Sequence, residues 1–274
     1  MSRFSSTIED VSFDQKARGA IRNKLDLFTH EPARFAVRAS LAGVYLGIMT
    51  AFASATATLL ELSAPGWGKY AFGAIFATTL YVIIVLQGEL ATGDMMFMAY
   101  GAIDRLTTFQ RGLALLVFVT VFNLVGAVLI SALIAHTSIA QAAETELEFL
   151  RGLLAAKLAK PNSTLFIEAI LANMVVNIAF MLATQAGKDF AAKLWGVVLI
   201  IPAFATMGYE HSVANFVLVA LGGFTFSPEM IAGFTALNVL RNWTIVWLGN
   251  LVGGGLLIGA VYGWLNLTQT QYKD

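Results

Sequence analysis

GELATGDMMFMAYG (88–101) and YEHSVANFVLVALG (209–222) align without a gap, and this alignment decides how the rest of the chain is read. Glu89 falls on Glu210, Asp94 on Asn215 and Gly101 on Gly222. Farther out, FNLVGAVLI (122–130) matches GNLVGGGLLI (249–258), which places Asn123 on Asn250. RASLAG (38–43) matches EAILAN (168–173) more weakly. Three pairings in the same chain order read as a duplication.

The residues around these matches are apolar. Only 12% of the 274 residues are charged, against about 25% in soluble domains. The apolar set reaches 58% and mean hydropathy is +0.73, more apolar surface than a soluble fold of this size hides. Seventeen basic residues balance seventeen acidic ones, so there is no electrostatic footprint for nucleic acid. The lack of cysteine excludes disulfides, thiolate metal sites, iron–sulfur clusters and thiol nucleophiles together.

An apolar run of about 20 residues crosses a bilayer as a helix. Six stretches qualify: 36–60, 70–102, 113–136, 164–183, 194–224 and 237–265. The second and fifth are interrupted by polar residues, Glu89, Thr92 and Asp94 in one and Glu210, His211, Ser212 and Asn215 in the other. Each repeat holds three spans, an odd number, so the second repeat enters from the opposite side. The expected fold is therefore all-α and integral to the membrane, a single domain over 1–274. It has six transmembrane helices arranged as two inverted three-helix repeats, with helices 2 and 5 broken. Broken helices at mid-depth expose backbone groups and mark a substrate path, and their N-termini favour an anion.

Orientation follows from the basic residues. Seven lie between Arg3 and Arg38, and with Arg105, Arg111, Lys188, Lys193 and Lys273 they form one side; Lys69, Arg151, Lys157, Lys160 and Arg241 form the other. The richer side is cytoplasmic, which places both termini there. Residues 1–35 lack the apolar run of a cleavable signal peptide. Within them, 7–30 carries Ile8, Val11, Ile21, Leu25 and Phe28 among charges. That pattern reads as an amphipathic helix on the cytoplasmic interface, in contact with lipid, with a solvated tail as the competing reading.

His211 is one of three histidines and sits at an expected break. A buried imidazole can simply be satisfied by a carbonyl, but an ionisable group at this depth reads as pore-lining. Glu210 and Glu89 read as acceptors that fix their broken loops, with proton relay as the alternative. Thr92 offers a hydroxyl, and Asn173 and Asn250 offer amides. Lys157 is expected at a funnel mouth, concentrating anions, and Lys160 as an ordinary solvated lysine. No metal-ligand cluster, phosphate loop or catalytic motif is present in the sequence, so neither an enzyme nor a cofactor is expected.

GYEHSVANF (208–216), ELATGD (89–94) and LGNLVGG (248–254) resemble the formate/nitrite transporter family, and the similarity runs over all six spans. The resemblance implies an aquaporin-like fold, a homopentamer with one pore per protomer, and small monovalent weak-acid anions as substrates. It implies that His211 is the central histidine, Glu210 the acid before it, and Thr92 the threonine of the broken second helix. It further assigns Leu90 to a constriction, Phe204 or a neighbour to the outer constriction, Lys157 to the vestibule, and Asn173 and Asn250 to helices four and six. Where members often have Leu-Phe-Thr, this chain has Leu90-Ala91-Thr92. Ala91 therefore implies a wider slit and raises lactate as a candidate.

The expected activity is proton-linked passage of a short monocarboxylate, formate or lactate, through the cell membrane, with protons as co-substrate. A nitrite or hydrosulfide channel is the rival within transport. A neutral-solute pore is the rival outside it, although paired Asn-Pro-Ala motifs are absent.

Overall fold

A computed structural model describes residues 12–268, 270, 272 and 274; Ile8, Val11, Arg3 and Lys273 lie outside the described residues. Among the described residues there is helix and no strand. The first helix, α1 (Phe13–His30), is capped by Ser12, whose side chain accepts from the Gln15 N–H. Its buried residues Phe13, Ala17, Ile21 and Leu25 recur every four positions, a single stripe down one face. This stripe packs on the protein's own helices, with the Phe13 ring edge-on to Tyr100 and Tyr262 at 6.2 and 6.1 Å.

Among the described residues, five helices are long and apolar enough to cross a membrane. They are α2 (Pro32–Ser63), α3 (Gly68–Val85), α5 (Phe109–Ile134), α9 (Asn162–Gln185) and the final stretch Ala236–Leu265. The second expected span is divided into α3 and α4 (Ala91–Ile103). The fifth is divided further, into α10 (Phe190–Val198), α11 (Ile201–Thr206) and α12 (Ser212–Thr225). Between α5 and α9 run two single turns, α6 (Ser138–Gln141) and α7 (Ala143–Glu146), and then α8 (Glu148–Ala159). The final stretch comprises α13 (Ala236–Asn250), a wide π-helical segment Leu251–Ala260 and α14 (Val261–Leu265). Phe52, Leu59, Val121, Leu133, Ile167 and Trp264 point outward, as a lipid-facing surface requires.

A helix break at depth releases backbone N–H and C=O groups that must find partners inside the protein. Two asparagines supply them in the same way. Asn123 Oδ1 accepts from the Ala91 N–H at 3.0 Å, while its Nδ2 donates to the carbonyls of Ala39 and Glu89 at 2.8 Å. Asn250 Oδ1 accepts from the Ser212 N–H at 2.8 Å, while its Nδ2 donates to the carbonyls of Ala169 and Glu210 at 2.8 and 3.0 Å. Each of these pairs (39/169, 89/210, 91/212, 123/250) occupies matched positions in the aligned segments. The close helix contacts repeat as well. A Cβ on Gly126 would lie 1.9 Å from the Ser40 oxygen, and one on Gly253 would lie 2.1 Å from the Ile170 oxygen.

Candidate functional site

The two broken helices meet at their N-termini. Thr92, in the first turn of α4, and His211, the N-cap of α12, are both buried, and Thr92 Oγ1 lies 2.8 Å from His211 Nε2. His211 Nδ1 accepts from the Ala214 N–H at 3.1 Å. A nitrogen that accepts carries no proton, so the neutral ring bears its proton on Nε2 and donates it to Thr92. The Thr92 hydroxyl hydrogen is then left to donate elsewhere. On the other side of Thr92, its carbonyl accepts from Asn173 at 3.2 Å and from Asn177 at 3.1 Å, and Asn173 also donates to the Asn250 carbonyl at 2.8 Å. These amides fit because the wide turn of the last helix presents Gly254 to them; a Cβ there would lie 2.3 Å from both Nδ2 atoms.

His211 opens onto a cavity of about 20 Å³ walled by Phe76, Leu80, Leu90 and Phe204 among others. The Phe204 ring lies nearly parallel to the imidazole at 5.9 Å and edge-on to Phe76 at 6.1 Å. Phe76 and Phe204 also wall a second cavity of about 20 Å³, which Lys157 borders. The two rings thus stand between the lysine and the imidazole. Leu153 borders the Lys157 cavity and also a wide recess of about 700 Å³ beside α8, whose walls carry Glu61, Glu144, Glu148 and Lys69. The recess and the Lys157 cavity thus share Leu153, the Lys157 and His211 cavities share Phe76 and Phe204, and Leu90 lies on the wall of the His211 cavity.

Each break is lined by charge. At the second, Lys157 Nζ lies 3.1 Å from Glu210 Oε1 and donates to the Tyr209 carbonyl at 3.0 Å. Lys160 donates to Glu210 at 2.7 Å, to the Gly208 carbonyl at 2.7 Å and to Glu168 at 2.5 Å. Asn215 Nδ2 donates to the other Glu210 oxygen at 2.6 Å. Lys157 belongs to α8, outside the membrane-spanning helices, and burial pushes its ammonium below the ordinary lysine range even against the pull of Glu210. At the first break, Lys24 reaches in from α1 to ion-pair Glu89 and Asp94, the latter at 2.7 Å.

Thr92, His211, Asn173, Asn250 and Glu210 are thus gathered around the two breaks, with Leu90 and Phe204 on the cavity wall. Lys157 is 5% exposed and paired with Glu210, not a bare cation at the mouth. Lys160, read from the sequence as solvated, is tied to two carboxylates. Ala91 is buried with its N–H on Asn123, and Leu90 rather than Ala91 forms the cavity wall at that level. Lys24 was not among the sequence candidates. The signal for it was present, since two acids in an apolar span require a cation, but spacing does not say which of seven N-terminal basic residues supplies it.

Comparison with known proteins agrees with this arrangement. The sequence profile of the formate/nitrite transporter family matches residues 14–264. Nitrite transporter NirC of Escherichia coli (strain K12) is 30% identical, with 86% of this chain and 85% of that protein covered. A solved structure described as an FNT family ion channel superposes with a TM-score of 0.80 at 28% identity, covering 92% of this chain and 98% of the other. A pentameric formate channel with formate bound shares the fold, with a TM-score of 0.68 at 20% identity over 92% of this chain and 100% of that one. A multi-pass helical chain with two broken helices meeting at Thr92 and His211, matched by the family profile almost end to end, belongs to the formate/nitrite transporter family.

Proposed function

We propose that the chain is a proton-linked channel for small monovalent weak-acid anions, with formate the best fit, working in the cell membrane as a homopentamer with both termini in the cytoplasm. The observation that carries this reading is the Thr92–His211 pair, a buried polar contact held beside an apolar slit. A bare anion in such a slit costs several kcal/mol or more, whereas the protonated acid carries no net charge. The anion enters past Lys157, takes a proton from water before the Phe76–Phe204 pair, crosses as the neutral acid between those rings and Leu90, and returns the proton to water beyond. The His211 Nε2–H, held on Thr92 Oγ1 at rest, turns to the passing oxygen as it arrives; while Nδ1 caps α12 the ring holds no second proton to give. The small cavity and the placement of Ala91 off its wall support formate over lactate. Nitrite is the second reading, favoured by the E. coli relative's name, and the pentameric formate channel of the same fold supports the assembly.

Uptake of labelled formate into proteoliposomes should rise as external pH falls. Flux unchanged from about pH 5 to about pH 8 would remove the proton from the scheme. His211→Asn should cut formate flux about tenfold, equivalent to one strong hydrogen bond in the passage, with the oligomer intact on size-exclusion chromatography. Wild-type flux and pH profile in that variant would reduce the imidazole to a helix cap.

A further inference from the structure

Phe149, Leu153 and Lys157 stand four residues apart on α8. Residues at that spacing share one face of a helix, and the cavities bear this out. Phe149 and Leu153 border the recess of about 700 Å³, while Leu153 and Lys157 border the cavity of about 20 Å³. Phe72, from α3, borders the smaller cavity, and its ring lies 5.5 Å from that of Phe149, tilted by 31°. One ring of this pair is therefore on the recess wall and the other on the Lys157 wall, with Leu153 on both.

The two rings differ in freedom. Phe72 is 5% exposed and stacks on Phe76 at 5.5 Å with the planes 13° apart, so it is held between two neighbours. Phe149 is half-buried, and the recess gives its ring room. Its backbone is nevertheless anchored. No side chain at the N-cap of α8 caps the first turn, and the Phe149 N–H donates instead to Thr58 Oγ1 at 3.1 Å. A side chain with empty space beside a fixed backbone can change rotamer without moving its helix. The Lys157 cavity holds about one water, too little for the three heavy atoms of formate, so a guest has to displace part of its wall. We propose that Phe149 is the moving leaf of an outer gate, closing against Phe72 and Leu153, through which an anion passes from the recess to Lys157. This inference rests on the anion-channel reading above and adds a second closure to it: Lys157 occupies a chamber shut outwardly by Phe149 and inwardly by the Phe76–Phe204 pair. A shut chamber keeps bulk water from the ammonium, whose pull on an anion is then least screened.

The chain has no cysteine, so one introduced thiol reports on one place. Ala214→Cys puts it on the wall of the Lys157 cavity, at a residue 7% exposed. Gly152→Cys puts it on the recess wall, where an added Cβ meets nothing within 4 Å. Ala143→Cys puts it in the core cluster that includes Leu150 and Leu154 of α8. Each protein, in detergent, is treated with the anionic thiol reagent methanethiosulfonate ethylsulfonate. Adding Phe149→Ala should speed modification at 214 about tenfold, because access no longer waits for a ring to turn, and should leave 152 and 143 within about twofold. Phe149→Trp should give no gain at 214. An unchanged rate at 214 in Phe149→Ala overturns the gate and leaves the channel reading standing. Faster modification at 214 and 143 together means that α8 has loosened, and overturns it as well. Wild-type proteoliposomes that take up no labelled formate or nitrite overturn the channel reading, and with it the assignment of this gate to an anion path.

Discussion

At the first helix break a single lysine, Lys24, faces two carboxylates, Glu89 and Asp94; at the second, Lys157 and Lys160 together face Glu210, and Asn215 stands where Asp94 does. The backbone at the two sites is nearly the same. The N-cap residues Leu90 and His211 have φ of −115° and −121°, and the aligned residues Gln87 and Gly208 are both left-handed, at φ 58° and 69°. The asparagine brackets therefore belong to the duplicated unit, whereas the cations come from the helix ahead of each repeat, α1 or α8 with the residue that ends it. A connecting helix can change its charges without disturbing the bracket, and the two halves have diverged there.

The largest difference should appear when each lysine is replaced by methionine. Lys24→Met strands two buried acids and should cost about 3–5 kcal/mol of stability, the range for breaking a buried ion pair. Lys157→Met should cost clearly less, because Lys160 still holds Glu210. Thermal unfolding of both variants in detergent measures this, and equal losses would show that the breaks are not neutralised as unequally as their geometry shows. Next in size, Asn123→Leu and Asn250→Leu each leave a break N–H and two carbonyls short of a partner, at about 1–3 kcal/mol per unsatisfied group. Similar losses in the two variants would support a shared bracket.

A smaller effect separates the lysines by pH. Burial lowers the Lys157 proton affinity, while Glu210 and Glu168 overcome the same burial effect at Lys160 and raise it. A lysine with a lowered value is charged at low pH and loses that charge, as pH rises, before an ordinary lysine does. Low-concentration anion uptake should therefore fall on the alkaline side, and Lys157→Arg, which stays protonated, should move that fall upward. An unmoved alkaline limb would separate Lys157 from anion entry. The smallest effect is in the backbone. Gln87→Gly should gain about 1 kcal/mol by relieving a left-handed non-glycine residue, and Gly208→Ala should lose about the same, although open space surrounds the Gly208 Cα.

Long apolar runs made the spans legible, and the gapless match of 88–101 to 209–222 revealed the duplication, with Asn123 and Asn250 at equivalent positions because a break at depth needs a side chain that both donates and accepts. His211 and Thr92 were legible as polar groups in apolar surroundings. Lys24 was not, because an ion pair bridging 65 residues of sequence leaves no periodic trace. The role of Lys160 was missed for a related reason: a lysine at the end of a short helix looks the same in sequence whether it meets water or, as here, Glu168 and Glu210.

Gly254 takes no part in the passage, yet its missing side chain lets Asn173 and Asn177 reach the carbonyl of Thr92. One methyl group there would push both amides off that oxygen and loosen the hydroxyl that faces the imidazole. At Gly254 the last helix thus acts through what it lacks, and a substitution there should mimic damage to the centre of the channel while leaving every residue that lines it intact.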